Sequence, residues 1–171
     1  TVLAMHIGSG TKTVTTSPDA PTVVAANLIA CNSVASMVDW LFSGVFDRFP
    51  GIQLLYAESQ IGWIPYFVER ADDTWQTHQW AQGEERSQRP PSDYYREHIS
   101  ACFFKDTVGI DLLDRIGEDN VLFETDYPHQ DGTFPRSKQV AEELFGHLPQ
   151  PTINKIARGN AIKLLGLDFE P

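Results

Sequence analysis

His6, Glu58 and Asp126 have the side chains for joint chemistry, and each closes a short apolar run. The runs are "VLAMH" (Val2–His6), "IQLLYA" (Ile52–Ala57, meeting Glu58) and "VLFETD" (Val121–Asp126). A neutral imidazole and two carboxylates can hold a divalent cation or move protons. The third run passes into "YPHQDGTFP", where prolines and Gly132 fix a loop that carries His129 beside Asp131. His129 there suits a substrate contact or a support for Asp126. Trp63, just after Gly62, would line a pocket for a planar substrate. Each has a plainer use. His6 can bond its ring to backbone at a strand end. Asp126 suits an Asx-turn ahead of Tyr127-Pro128. Glu58 suits a cap on the helix beginning near Gly62, where the helix dipole favours a carboxylate. His129 suits a surface turn, and Trp63 with the other aromatics suits packing.

The elements that must position these residues follow from periodicity. Val2–His6 reads as a short buried strand closed by Gly8, Ser9 and Gly10, with a polar loop to Pro21 and a helix beyond. From Val34 to Phe46 apolar residues recur three and four apart until Pro50-Gly51, which predicts a helix. Ile52–Ala57 is a strand, and "SQIGWIPYFVERADDTW" a helix with Pro65 near its start. Residues 81–93 form a breaker-rich surface loop, with a helical turn over Tyr94–Glu97. Ile99–Phe104 is a strand, Val108–Ile116 a helix ended by Gly117, and Val121–Thr125 the fourth strand. Ser137 would N-cap a helix through Leu144 stopped by Gly146, and Thr152 and Gly159 bracket another. Strands joined by crossover helices predict an α/β fold with parallel strands, so His6, Glu58 and Asp126 gather on the C-terminal rim. A flavodoxin-like alternative wants a glycine-rich phosphate loop after the first strand, and "GSGTKT" lacks its spacing.

Size and charge narrow the partners. With 171 residues and 42% hydrophobic composition, one globular domain over residues 1–171 is expected. A net charge of -10 argues against nucleic acid as a partner. No apolar run was expected to approach the roughly 20 residues that cross a bilayer. With no signal-peptide pattern at the start, the expectation is a cytoplasmic protein without a membrane partner. Cys31 and Cys102 sit in apolar surroundings and read as buried reduced thiols.

Five segments together bring a known family into view: "MHIGSG", "FDRFPGIQLLYAESQIGWIPYFVERAD", "SDYYREHISACFFKD", "IGEDNVLFETDYPHQDGTFP" and "KIARGNAIKLLGL". The chain resembles the amidohydrolase-related family, in the branch of aminocarboxymuconate semialdehyde decarboxylase and resorcylate-type decarboxylases. That resemblance implies a (β/α)₈ TIM barrel of about 250 residues, of which these segments match the second half, strands five to eight. It implies that His6 is a metal ligand, and that Asp126 is both a ligand and the acceptor of a proton from the attacking water. It also implies that Arg70 in "VERAD" holds a substrate carboxylate, although pairing to Asp73 or Glu69 is the ordinary use of such a residue. Glu58 falls where the decarboxylases carry a catalytic histidine, which makes it a candidate acid-base group and tilts the expected reaction from decarboxylation to hydrolysis of a small carbonyl or carboxylate substrate.

The metal implied is zinc, with manganese the alternative if oxygen ligands dominate. The family's His-x-His or Glu-x-His pair has no counterpart among the five histidines. Two ligands make a poor site, so weak or absent metal binding and an inactive isolated half-barrel are expected. Three settings remain open: a piece of a longer protein, favoured by Thr1; a half-barrel completed by a second copy or by a separate N-terminal half; and a noncatalytic module that lost the reaction.

Overall fold

The computed structural model describes residues 1–8, 14–83 and 87–169. Ser9 and Gly10 of the expected first turn, "TKT", and residues 84–86 of the expected loop lie outside the described residues.

Four strands form one parallel sheet in sequence order: β1 (Val2–His6), β2 (Gln53–Ala57), β3 (Ile99–Phe103) and β4 (Val121–Phe123). The register places His6 beside Ala57, Tyr56 beside Ala101, and Phe103 beside Phe123. Consecutive parallel neighbours require a crossover each time, and helices supply it. Between the strands lie α1 (Thr22–Leu28), α2 (Cys31–Phe42), α3 (Val45–Arg48), α4 (Ile64–Thr77), α5 (Pro91–His98), α6 (Thr107–Asp111) and α7 (Leu113–Ile116), while α8 (Ser137–Phe145), α9 (Gln150–Asn154) and α10 (Asn160–Leu165) follow β4. This is a mixed α/β arrangement consistent with part of a TIM barrel.

The core lies between the helices and one face of the sheet. Leu54, Tyr56, Ile99, Phe103 and Val121 are buried against Met37, Leu41, Ile64 and Phe145. Phe103 is fully enclosed, edge-on to Phe123 and Phe145 at centroid distances of 5.8 and 6.0 Å. Burial of such a ring stabilises by about 2–3 kcal/mol. Tyr56 keeps its hydroxyl satisfied on Ser36 of α2, at 3.0 Å.

Several expectations change at this level. β1 is not buried: Leu3, Ala4 and His6 are exposed, because among the described residues β1 is a sheet edge with β2 as its one neighbour. The helix expected over Val34–Phe46 divides at Gly44, which takes φ 66° between α2 and α3. The helix expected over Val108–Ile116 divides at Leu112 into α6 and α7. The turn expected at Tyr94–Glu97 is a full helix from Pro91 to His98. Ser137 is the first helical residue rather than a cap, and its hydroxyl accepts from Thr133 Oγ1 at 2.9 Å. Helical structure runs from Gln150 to Leu165 through a π-turn at Lys155–Gly159, so Gly159 does not stop it. Thr22–Phe42, taken as one run of 21 residues, is long and apolar enough to span a bilayer, contrary to the expectation of no such run. Its α2 portion directs Met37 and Leu41 into the core, as a packed helix does. Both cysteines are free; Cys102 is buried but Cys31 only half-buried.

Candidate metal centre

The C-terminal rim gathers the acids in an uncommon backbone. Glu58, Gln60 and Asp126 have φ of 57°, 55° and 53°, the left-handed region that side chains with a Cβ rarely enter. Such conformations cost of order 1–3 kcal/mol each and concentrate at functional sites. They turn each strand end so that its acid faces the rim.

Two imidazole–carboxylate contacts result. His6 donates Nδ1–H to Ile7 O at 2.7 Å and brings Nε2 within 2.6 Å of Glu58 Oε1. His129 Nδ1 lies 2.8 Å from Asp126 Oδ2. Glu58, Asp126 and His129 each offer a donor atom, and these atoms lie within 4.8 Å of one another. Ligands on a common ion at about 2.1 Å stand at most about 4.2 Å apart, so the group closes on a cation with a shift under about 1 Å. His6 joins through Glu58: with Nδ1–H held by a carbonyl, its Nε2 stands 2.6 Å from the carboxylate oxygen, the separation of two atoms that share a proton.

The histidines are more basic than usual. His6 is raised by its bond to Ile7 and then by the Glu58 charge, against some desolvation. His129 is raised by the hydrogen bond to Asp126 and by that charge. Below this cluster lies Glu124, whose Oε1 accepts the backbone N–H of Glu58 at 2.7 Å. Burial, reinforced by the charges of Glu58 and Asp126, pushes Glu124 up to about 7. The Cys102 thiol beside it is pushed up by burial and by that carboxylate, and stays protonated.

The loops are clamped. Asp106 accepts from Ile61 N at 2.7 Å and Gly62 N at 2.6 Å with one oxygen, and from Gly109 N at 2.7 Å with the other. It therefore caps α6 and fixes the β2–α4 loop with one carboxylate. Sequence reasoning passed over Asp106; its spacing ahead of "TVG" was the available sign. Gly132 is required where it stands, since a Cβ would lie 2.6 Å from Asp126 O and 2.7 Å from Thr125 O. That tight turn sets His129 against Asp126.

The remaining predicted residues lie differently. Trp63 is half-buried, donating Nε1–H to Ser59 O at 2.8 Å and packing against the core, so its indole braces the loop. Arg70 is exposed on α4 and tied to Asp73, the ordinary pairing named above, and the structure does not bring it into the cluster. Glu58 caps no helix: α4 begins at Ile64 without a side-chain cap.

A family model described as amidohydrolase matches residues 1–167. The chain belongs to the amidohydrolase family, whose members are metal-dependent enzymes. Among solved structures it is similar to 2,6-dihydroxybenzoate decarboxylase from Rhizobium, with 20% identity, TM-score 0.67, and coverage of 98% of this chain and 52% of that one. It is also similar to 5-carboxyvanillate decarboxylase from Sphingomonas paucimobilis, with 20% identity, TM-score 0.66, and coverage of 80% and 40%. A third is dihydroxybenzoic acid decarboxylase from Polaromonas sp. JS666, solved with bound manganese and 2-nitroresorcinol, with 23% identity, TM-score 0.60, and coverage of 84% and 41%. The chain thus spans about half or less of the length of these proteins.

Proposed function

We propose that the protein is a metal-dependent decarboxylase acting on a small carboxylate, centred on His6, Glu58, Asp126 and His129. The observation that carries this reading is the convergence of Glu58, Asp126 and His129 within 4.8 Å at the C-terminal ends of parallel strands. The similar decarboxylases move the preference from hydrolysis, expected from the Glu58 position, to loss of carbon dioxide. The oxygen-rich donor set, and the manganese held by two similar decarboxylases, favour manganese over zinc. We further propose that the four strands are strands five to eight of the barrel, and that the remaining strands, from the same polypeptide or another chain, cover the edges at β1 and β4.

A divalent cation bound here would supply a positive centre that draws in and polarises the substrate carboxylate. The chain's own residues do the rest. Asp126 orients His129 and favours its protonated form, so the pair holds a proton at the rim. That proton passes to the substrate carbon that bears the carboxylate. The carbon–carboxylate bond then breaks, its electron pair restores the double bond that took up the proton, and carbon dioxide leaves. Glu58 and His6 hold a second proton between Nε2 and Oε1 for resetting the site.

Hydrolysis remains the second reading because Glu58 presents a carboxylate at the end of β2. In that case Asp126 takes a proton from water and returns it to the leaving group. The test is to incubate the manganese-loaded protein with 2,6-dihydroxybenzoate and 5-carboxyvanillate, and separately with a panel of esters and lactones. Decarboxylated product is expected from the first set; turnover of the second set alone would replace the reading with hydrolysis.

A further inference from the structure

We propose that Glu124 is a positioning residue whose carboxylate, as a hydrogen-bond acceptor, sets the Glu58 carboxylate in the metal centre; the proposal rests on Glu58 belonging to that centre. Glu124 is not one of the convergent donors, yet its Oε1 spans from the end of β4 to the end of β2, over β3, to accept Glu58 N–H at 2.7 Å. The β1–β2 ladder has run out at that point: Ile7 N donates to Ala57 O at 3.2 Å, and Glu58 then leaves the strand with φ 57°. A left-handed residue needs surrounding structure to hold it, and the Glu124 bond holds this one at its N–H. Glu124 is itself anchored, its N–H donating to Phe103 O at 2.9 Å and its carboxylate meeting the Cys102 thiol. With both ends fixed, the bond sets the direction in which the Glu58 side chain leaves, toward His6 Nε2 at 2.6 Å and toward Asp126 and His129. Carboxylate burial is costly, and a strut across two strand ends gives that cost a purpose.

The test uses the intact protein and two variants that both remove the charge. Glu124→Gln keeps an acceptor oxygen, while Glu124→Met keeps the bulk without one. Two quantities are read: hydrogen exchange of the Glu58 amide, and Mn²⁺ affinity by titration calorimetry. The parent and Glu124→Gln should protect the amide and bind Mn²⁺ within about threefold of each other. Glu124→Met should exchange that amide about tenfold faster and bind Mn²⁺ about 10–100-fold more weakly. Equal weakening of Mn²⁺ binding in both variants would make charge, not the acceptor, the cause and overturn the proposal. An amide that exchanges equally fast in all three proteins would also overturn it. If the exchange pattern holds while the parent binds no Mn²⁺, the metal reading fails and the strut stands.

Discussion

Glu58 and Asp126 leave their strands in the same way, both left-handed and both facing a histidine, yet they are built differently. The Asp126 side chain is 8% exposed, and its partner His129 comes from three residues onward in its own loop. The Glu58 side chain is 20% exposed, and its partner His6 comes from the neighbouring edge strand with 59% exposure. Asp126 is thus set by local sequence, through the Gly132 turn, whereas Glu58 is set by assembly: the place of β1, the Glu124 strut and the Asp106 clamp. Half of this centre is made by one loop, and the other half depends on how strands are brought together.

The largest expected effect breaks the comparison at Asp126. Asp126→Asn should lower kcat for the decarboxylation by about 10²–10⁴-fold, the range for removal of a positioned proton-transfer group, with His129 losing its charge partner at once. Glu58→Gln should cost less. A greater loss at Glu58 would make the assembled half the chemical one and reverse the ranking.

Asp106 sharpens the contrast, because it acts on the Glu58 side alone. Asp106→Ala removes the acceptor of three backbone N–H groups, so urea unfolding should show a loss of about 2–3 kcal/mol. The His129–Asp126 turn has no bond to Asp106 among the described residues and should keep its geometry. The histidines come next: His6→Gln should weaken Mn²⁺ binding by about tenfold or more, and His129→Gln, which removes the proton donor, should lower kcat by about 10²-fold. If only the His129 change matters, β1 is not part of the working centre.

The same contrast explains what could be read from the sequence. Helices α2 and α4 were legible because each repeats an apolar face at helical spacing, and the strand ends were legible because Gly, Pro and acids punctuate apolar runs. Asp126 and His129 sit in one quoted stretch, so their meeting is a short-range matter. The bond between Glu124 and Glu58 joins residues 66 apart, and no local pattern announces it. Nor does periodicity say which strand is an edge, which is why β1 read as buried. The breaks at Gly44 and Leu112 and the π-turn at Lys155–Gly159 lie inside apolar patterns that continue across them, so tertiary packing decides them. Arg70 read as an anchor by resemblance, but its helix face turns it to Asp73.

The smallest effect, a pH slope, isolates the assembled half. Glu124 has its folded pKa raised to about 7, above the ordinary value of 4.5 that the unfolded chain keeps. The folded state therefore holds the proton more tightly, and its stabilising contribution is complete below about pH 4.5 and lost as pH rises through about 7. His6 and His129 act in the same direction: both are raised above 6.5, so the stability they supply is present below that value and lost as pH rises through their folded values. Metal-free protein should accordingly become less stable from about pH 5 to 8, as followed by urea midpoints. Glu124→Gln cannot titrate, so it should flatten the slope between about pH 5 and 7 and leave the part above that range, which belongs to the histidines. An unchanged slope in that variant would mean that the acid under Glu58 is already ionised at low pH, and that the β4-to-β2 strut is a charged bond from the start.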